Sequence, residues 1–335
     1  MKIGNSDTDQ QVVVIAEIGN NHEGSLKEAL KMVRAAADAG ADAVKFQTLV
    51  PEKLVSSDQK ERLHQLNRYA LSYPQFEELR READRANVTF LSTPFDLESV
   101  EFLKDLVPAF KIASGDSNFF ALLQKVADTG KPVMVSTGLS DSAEKKFLQS
   151  FFATAWKKNG RESPGLALLH CVTEYPVPDA RAGLRYLDML RGMEGVTPGY
   201  SGHTLGVDGA VMAVSLGARI IEKHFTLDKT KTSFRDHALS ADPQEFREMI
   251  SRIRRAEILL GPVASNEPPA QGLAARRSAA ASRDLPVGHK IQLQDVVWLR
   301  PGTGFLPGSE ALLVGRVLVR PLPQGTLFSA KDLQS

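Results

Sequence analysis

The sequence has little cysteine, little imbalance of charge and no long apolar run. Its 335 residues contain one cysteine, Cys171, which excludes an intrachain disulfide and a metal site built from several cysteines. The 41 basic and 40 acidic side chains give a net charge of +1, whereas nucleic-acid binders and polybasic membrane binders carry a basic surplus. The start of the chain is polar, and no run approaches the roughly 18 apolar residues of a membrane helix. We therefore expect a cytoplasmic protein with neither a nucleic acid nor a membrane as its partner.

Strand-like apolar runs alternate with helical patterns along most of the chain. Repeating strand–helix units indicate a parallel sheet, and eight of them within about 260 residues favour a closed (β/α)8 TIM barrel of the α/β class. An open doubly wound sheet is the alternative, but no G-x-G-x-x-G follows the first strand and there is no P-loop. The predicted strands are 12–18, 43–48, 89–95, 109–114, 132–138, 166–172, 195–204 and 218–226. The predicted helices are 25–39, 75–87, 97–106, 119–129, 141–157, 182–191, 207–217 and 243–260, the first with Ser25 as its N-cap.

The character of the sequence changes after Leu260. A stretch rich in Pro, Ala, Ser and Gly follows. Short strand-like pieces come next, separated by Pro and Gly: HKIQL (289–293), VVWLRP (296–301) and GRVLVRPL (315–322). We predict a barrel domain over residues 1–262, a linker over 263–277 and a small β-rich module over 278–335. A module of this size is only marginally stable alone, so we expect it to pack on the barrel or on a second subunit.

Two lysines lie inside apolar strands, and hydroxyl side chains follow several strand ends. In such barrels the chemistry lies at the carboxyl ends of the strands. A buried ammonium group is costly unless it meets an anion, so Lys45 and Lys111 predict either an internal salt bridge with Glu17 or Glu222 or a site for a substrate phosphate or carboxylate. Gln47 lies two residues after Lys45 and so on the same face of its strand. The flanking hydroxyl groups are those of Ser92, Thr93, Ser114, Ser136 and Thr137.

Two histidines, His203 and His224, end neighbouring predicted strands. Adjacent strands lie about 4.8 Å apart, so the two imidazoles can share one divalent metal ion. The alternative for each is a hydrogen-bonded core histidine. Glu23, in the loop after the first strand, is either a general base beside that metal or a solvated loop carboxylate. Asn21, in the same loop, joins the candidate substrate-binding residues.

Several motifs resemble those of the sialic acid synthase family, whose members include N-acetylneuraminate, legionaminate and pseudaminate synthases and spore coat polysaccharide biosynthesis proteins of type E. The resemblance covers essentially the whole chain. The barrel motifs are AEIGNNHEGSL (16–26), VKFQT (44–48), STPF (92–95), KIASGD (111–116), STG (136–138), LLHC–TEYP (168–176), GYSGHT (199–204) and EKHFTLDK (222–229). The C-terminal VVWLRPGTG (296–304) is similar to the antifreeze-like, or SAF, module of that family.

The resemblance implies a metal-dependent condensation of phosphoenolpyruvate with an N-acylated hexosamine, which gives a nonulosonic acid and phosphate for a surface or spore-coat polysaccharide. It implies that His203 and His224 bind the metal, manganese in the first place with magnesium or cobalt as alternatives. Glu23 would be the catalytic carboxylate, and Arg300 would reach the acyl group of the sugar from the other subunit of a domain-swapped homodimer. Phosphoenolpyruvate would be held by Lys45, Thr93, Lys111, Ser114, Ser136 and Ser201, and the sugar pocket would be lined by Tyr175 and Asp236.

The sequence departs from the family pattern mainly on the sugar side. Arg235 replaces the proline of a GPDH motif, Thr173 replaces an asparagine, Gly202 stands where aspartate is frequent, and Asp116 replaces a glutamate. The identity of the acceptor sugar is therefore open. The alternatives are a phosphoenolpyruvate-dependent synthase that uses a phosphorylated sugar and a non-catalytic carbohydrate-binding or coat-assembly protein.

Overall fold

A computed structural model describes residues 1–232, 234–261 and 270–334 of the protein. The chain divides into two compact units, Met1–Leu260 and Gly261–Ser335. The first part of the predicted linker, 263–269, lies outside the described residues. Its last part belongs to the second unit by hydrogen bonding, since Leu273 O accepts from Gly302 N at 2.8 Å.

The first unit is a barrel of eight parallel strands, as the alternating pattern predicts. Seven neighbouring pairs are joined by parallel backbone ladders, in the order β5-β4-β3-β10-β9-β8-β7-β6, and the end strands β5 and β6 lie side by side. A predicted strand over 109–114 is shorter in the structure, because residues from Ser114 to Asp116 form a 3₁₀ turn. The strands are β3 (Val13–Gly19), β4 (Ala43–Thr48), β5 (Thr89–Pro94), β6 (Phe110–Ile112), β7 (Val133–Ser136), β8 (Leu166–Cys171), β9 (Val196–Gly202) and β10 (Ile220–His224).

The barrel strands alternate between two buried faces. In β3, Val14 and Ala16 pack in the cluster shared with the helices, whereas Val13 and Ile15 belong to a separate cluster of buried apolar residues. Successive side chains of a strand point to opposite faces, so this second set fills the interior of the barrel. The same period places Glu17 above Ile15 on the inward face.

The helices flank the strands and account for most of the predicted helical patterns. Ser25 caps α1 by accepting from Glu28 N at 3.3 Å, and Gly40 follows that helix with a φ of 96°. The helices of the first unit are α1 (Leu26–Asp38), α2 (Pro51–Leu54), α3 (Lys60–Tyr69), α4 (Tyr73–Arg85), α5 (Leu97–Leu103), α6 (Phe120–Asp128), α7 (Ser142–Lys158), α8 (Tyr186–Arg191), α9 (Asp208–Ser215), α10 (Arg235–Leu239) and α11 (Pro243–Leu260). Sequence reasoning missed α2, α3 and α10, which are short or mostly polar. No helix among the described residues is long and apolar enough to cross a membrane.

A short hairpin, β1 (Lys2–Ile3) and β2 (Ser6–Asp7), precedes the barrel. Ile3 is fully buried in the interior cluster with residues from the amino-terminal halves of the strands, and Met1 packs against the same cluster. The hairpin therefore closes the amino end of the barrel with apolar side chains.

The second unit is small and has its own apolar cluster around Leu285, Ile291 and Phe328. It contains α12 (Ala270–Leu273), β11 (Ser278–Ala281) and β12 (Val296–Leu299), and the two strands are antiparallel. The predicted strand pieces HKIQL and GRVLVRPL form isolated bridges instead, such as Lys290 with Val317. The strand β11 was not predicted, because its sequence, Ser-Ala-Ala-Ala, lacks the β-branched and aromatic residues typical of strands.

Candidate active site

A cavity of about 230 Å³ lies at the carboxyl ends of the barrel strands. It is formed where the inward-facing residues change from apolar to polar, one step above the interior cluster. Eleven of the site residues predicted from the sequence line it, and they come from the seven strands β4 to β10 or the loops that follow them. They are Lys45, Gln47, Thr93, Lys111, Ser114, Ser136, Tyr175, Ser201, His203, His224 and Asp236.

Two lysines and two glutamates form a buried charged cluster at the base of the cavity. Lys45 Nζ lies 2.6 Å from Glu17 Oε2 and 3.8 Å from Glu222 Oε2, and Lys111 Nζ lies 3.6 Å from Glu222 Oε1. Each of the two lysine side chains is only 3% exposed. The internal salt bridge, one of the two interpretations of these lysines, is therefore present. The other interpretation also stands, because both lysines line the cavity as well.

The pKa values of the four groups in this cluster are shifted in different directions. Burial raises the pKa of Glu17 to about 7, although Lys45 acts against that effect. For Glu222, burial is outweighed by Lys111 and Lys45, which lower its pKa to about 2. Burial lowers the pKa of Lys111, whereas the two glutamates outweigh burial at Lys45 and raise its pKa. Glu17 is thus the carboxylate of the cluster that most readily takes up a proton near neutral pH.

Hydroxyl and amide side chains surround the cluster and hold its members in place. Lys45 Nζ donates to Thr93 Oγ1 at 3.1 Å, and Lys111 Nζ donates to Ser136 Oγ at 2.7 Å. Ser201 Oγ donates to Glu222 Oε1 at 3.0 Å, and Gln47 Nε2 donates to Glu17 Oε1 at 3.2 Å. An entering anion therefore meets ammonium groups whose positions are already fixed by hydrogen bonds.

His203 and His224 face each other across the cavity wall with ring centroids 5.4 Å apart. His203 Nδ1 donates to Val172 O at 2.8 Å, which leaves Nε2 as its ligand nitrogen. Buried His224 Nδ1 has no hydrogen-bond partner among the described residues. Burial lowers the pKa of His203 to about 4 and that of His224 to about 3, so both rings are neutral, the form that binds metals.

These two imidazoles fit a divalent metal with an incomplete set of protein ligands. Within the residues that the structure describes, no group of three or more His, Cys, Asp or Glu side chains could hold a metal ion. A metal held by His203 and His224 alone would keep several positions for water or substrate, as catalytic rather than structural metal sites do.

Comparison with known proteins decides the family. The model of the NeuB family matches residues 32–265, well over half of the chain. The chain belongs to the NeuB family. A SAF domain model matches residues 276–334, so the family resemblance read from the sequence motifs is confirmed for both parts of the chain.

Several of its relatives are named as synthases of sialic-acid-type sugars. The chain is 36% identical to the N,N'-diacetyllegionaminic acid synthase of Legionella pneumophila over 96% of this chain and 94% of that protein. It is 32% identical to the human N-acetylneuraminate-9-phosphate synthase over 90% of this chain and 87% of that protein. Among solved structures, the N-acetylneuraminic acid synthetase of Leptospira borgpetersenii in complex with citrate matches with a TM-score of 0.74 and 34% identity, over 81% of this chain and 93% of that one.

Three predicted site residues do not line the cavity. Asn21 is fully buried, and its Nδ2 donates to Phe225 O at 2.8 Å and Ser240 Oγ at 3.0 Å, so it anchors the loop between β3 and α1. Arg300 belongs to the second unit. Glu23 lies in the same loop as Asn21, with a φ of 50° that non-glycine residues rarely adopt.

Glu23 is held by a pair of hydrogen bonds that sequence reasoning missed. Its Oε1 accepts from Thr232 Oγ1 at 2.5 Å and from Nε2 of the buried His237 at 3.0 Å. His237 Nδ1 is in turn hydrogen-bonded to Thr226 Oγ1 at 2.7 Å. Although burial opposes it, these hydrogen bonds keep the pKa of Glu23 below its ordinary value, so the carboxylate is ionised. The available signal was His237 itself, a histidine next to Asp236 in the loop that the resemblance had marked.

The outer wall of the cavity carries an arginine on an aromatic ring. Arg235 Cζ lies 4.4 Å from the ring centroid of Tyr175, and its Nε lies 3.3 Å from Asp236 Oδ1. Arg62 of α3 also lines the cavity. Arg62 could not be predicted as a site residue, because α3 has no regular apolar period that would predict a helix at this place.

Proposed function

We propose that this protein condenses phosphoenolpyruvate with an N-acylated hexosamine, N-acetylmannosamine or a related di-N-acetyl hexose, to give a nonulosonic acid and inorganic phosphate. The observation that carries the proposal is the joint presence, in one cavity, of two buried lysines ringed by hydroxyl groups and of two facing neutral histidines. Family membership and the names of the relatives support the same class of product.

Phosphoenolpyruvate is a small, highly charged anion that suits the base of this cavity. In the proposed complex, its carboxylate and phosphate take ammonium donors from Lys45 and Lys111, with hydroxyl donors from Thr93, Ser136 and Ser201. The bound anion then competes with Glu17 for Lys45 and weakens the ion pair between them. Since its pKa is already raised to about 7, Glu17 accommodates the new anion by taking up a proton.

The two histidines serve the aldehyde of the second substrate. A divalent metal held by His203 and His224, manganese in the first place, would supply Lewis-acid polarisation of the aldehyde oxygen. Tyr175 and Asp236, at the same end of the cavity, hold the sugar chain beside it. Tyr175 lies 4.1 Å from His203 between ring centroids, so a sugar packed on the tyrosine reaches the histidines directly.

The proposed reaction balances in two stages. Carbon 3 of phosphoenolpyruvate attacks the aldehyde carbon, a carbon–carbon bond forms, and the aldehyde oxygen takes up a proton. Water then adds to the cationic carbon 2 and loses a proton. Cleavage of the bond between carbon 2 and the phosphate-ester oxygen releases phosphate, which takes up the proton of the new hydroxyl group, and carbon 2 becomes a ketone. We assign Glu23 the orientation of that water, because an ionised carboxylate can accept its proton.

The second unit contributes Arg300 in this proposal. By resemblance to the family, it contacts the acyl group of the acceptor sugar within a domain-swapped homodimer. Replacement of Arg300 by alanine is expected to raise the KM of the sugar far more than that of phosphoenolpyruvate, because the side chain would touch only the sugar. Equal changes in both constants would remove Arg300 from this role, and sedimentation showing only monomer at micromolar concentration would contradict the swapped dimer.

Phosphate release tests the proposed function. Purified protein with Mn²⁺ should release phosphate from phosphoenolpyruvate only when an N-acylated hexosamine is present, and excess chelator should stop the release until metal is restored. The product should be a nonulosonic acid by mass spectrometry. No phosphate release across a panel of N-acetylmannosamine, its phosphate ester and di-N-acetyl hexoses would refute the proposal.

A further inference from the structure

A second and larger cavity adjoins the one at the strand ends. It has a volume of about 790 Å³, and three of its lining residues, Arg62, Phe234 and Arg235, also line the first cavity. The first cavity contains the lysines and histidines, so the second extends from its outer side. A substrate whose reactive end lies at the histidines can therefore reach into the second cavity with its far end.

The second cavity is strongly basic. Arg62, Arg68, Arg235 and His64 contribute to its wall, and none of the described residues that line it carries a carboxylate. Arg62 and Arg68 both come from α3, which the chain inserts between β4 and α4. Although the net charge of the chain is only +1, three guanidinium groups line the second cavity.

Within the described residues, Arg62 and Arg68 use few of their N–H donors in hydrogen bonds. Arg62 Nη1 donates to Gln65 Oε1 at 2.6 Å, and Arg68 Nη2 donates to Tyr69 Oη at 3.3 Å. Across residues 1–232, 234–261 and 270–334, neither guanidinium forms an ion pair within 4.0 Å, and each has five N–H donors. Arg80 of α4, by contrast, is paired with Asp84 at 2.9 Å.

We infer that the second cavity binds a phosphate ester at the end of the acceptor sugar remote from its aldehyde. This inference rests on the proposed function and narrows its substrate class. A phosphate ester carries close to two negative charges at neutral pH and three acceptor oxygens, which the planar fork of arginine matches with paired hydrogen bonds. Arg62 and Arg68 are both exposed, so with a neutral hexosamine their charges stay solvated by water, whereas a phosphate ester can pair with them directly.

Arg235 connects the two cavities in this arrangement. Its guanidinium lies over Tyr175, at the place where the sugar chain would pass from the histidines to the basic pocket. Part of its charge is compensated by Asp236 at 3.3 Å, so Arg62 and Arg68 carry most of the attraction for the phosphate. The departure of Arg235 from the family's usual proline belongs to the same adaptation.

A pair of acceptors tests the inference. For the wild type, kcat/KM for N-acetylmannosamine 6-phosphate should exceed that for N-acetylmannosamine by about tenfold or more, the size expected for charge-assisted contacts at a partly exposed site. In the R62Q/R68Q variant this ratio should fall towards one. Raising the ionic strength should increase KM for the phosphate ester much more than KM for the neutral sugar.

Arg81→Gln is the matched control, since this exposed arginine lies on α4 outside both cavities and pairs with Glu77 at 3.9 Å. It should leave the ratio unchanged. Turnover of N-acetylmannosamine with an unchanged ratio in R62Q/R68Q would overturn the inference while the proposed function stands. If neither acceptor turns over, equilibrium binding of N-acetylmannosamine 6-phosphate decides the pocket: weaker binding by R62Q/R68Q than by wild type supports it, and equal binding overturns it. The proposed function fails only if the di-N-acetyl hexoses release no phosphate either.

Discussion

The two ends of the barrel interior are built from the same strands yet have opposite characters. At the amino end, Val13, Ile15 and Ile220 form a dry apolar cluster closed by Ile3. At the carboxyl end, Glu17 and Glu222, two residues further along the same strands, share a charged cluster with Lys45 and Lys111. Two residues along a strand span about 7 Å, so the barrel interior changes from apolar to charged from one layer of side chains to the next.

The difference separates stability from chemistry. Burial of each large apolar side chain at the amino end contributes about 1.5 to 3 kcal/mol to the free energy of unfolding. Buried ion pairs such as those at the carboxyl end contribute little net stability, because removal of the charges from water offsets their attraction. The apolar layer therefore supports a charged layer that the proposed reaction requires and that folding does not favour.

The largest effect is expected when a lysine of the charged layer is removed. Lys111→Met should lower kcat/KM by about 10³-fold, about 4 kcal/mol of transition-state stabilisation, because a buried ammonium donor to an anionic substrate is lost. Steady-state phosphate release measures this change, and circular dichroism checks that the variant is folded.

Lys145→Met is the matched control for that prediction. Lys145 is also buried, but it lies on α7 outside the cavity, where its Nζ donates to Ser140 O at 2.5 Å. It should keep kcat/KM within about threefold of wild type. Similar losses of activity in both variants would show that the effect of Lys111→Met is not specific to the charged layer.

The apolar end should respond in the opposite way. Ile3→Ala should lower the free energy of unfolding by about 3 kcal/mol, because it leaves a cavity in the interior cluster, and it should leave kcat nearly unchanged. Urea denaturation measures the first quantity. Ile258→Ala, on a side chain that is 80% exposed, should change stability by less than about 0.5 kcal/mol. A loss of activity in folded Ile3→Ala would break the separation between the two ends.

A smaller effect is expected at the rim of the polar end, where His237 positions Glu23. His237→Ala should lower kcat by about tenfold to 100-fold, because the ionised carboxylate loses one of its two donors. KM for phosphoenolpyruvate should stay within about threefold, since His237 does not line the cavity. His237→Gln keeps an N–H donor and should recover part of kcat; no recovery would indicate a purely structural role.

The smallest effect concerns Asp116, a departure from the family pattern beside the polar end. Burial raises its pKa from 3.8 to about 6, so the native state binds this proton more tightly than the unfolded state. Stability from this group is present below pH 3.8 and is lost as the pH rises through 6. Asp116→Asn should therefore gain about 1 kcal/mol at about pH 8, after allowance for partial exposure, and less at about pH 5. Thermal unfolding at the two pH values measures the gain, and an equal gain at both would contradict this explanation.

The period of the strands predicted most of the barrel and much of its polar end. Apolar runs that alternate with helical patterns located all eight strands, and the polar residues at the strand ends identified Lys45, Lys111 and the two histidines as neighbours. These features follow from local geometry, since the carboxyl ends of parallel strands meet at one end of a barrel.

Features that depend on contacts distant in sequence could not be predicted in the same way. The hydrogen bond between His237 and Glu23 joins residues 214 positions apart and depends on how two loops pack against each other. The basic pocket depends on α3, whose KERLHQLNRY sequence has too few apolar residues for a helical period to stand out. Local patterns predict which side chains of a strand point inward, but they do not predict which loop residues meet above those side chains.

The alternation within each strand also sets the sign of the charge in the cavity. In β10, Glu222 faces the interior, whereas its neighbour Lys223 lies on the other face and donates to Thr204 O at 2.5 Å. A shift of one residue in the phase of this strand would bring the lysine inside and turn the glutamate and His224 away. For that reason an insertion or deletion within a strand would do more harm here than most substitutions, whereas the loops above the strands can change length without altering which charges face the substrate.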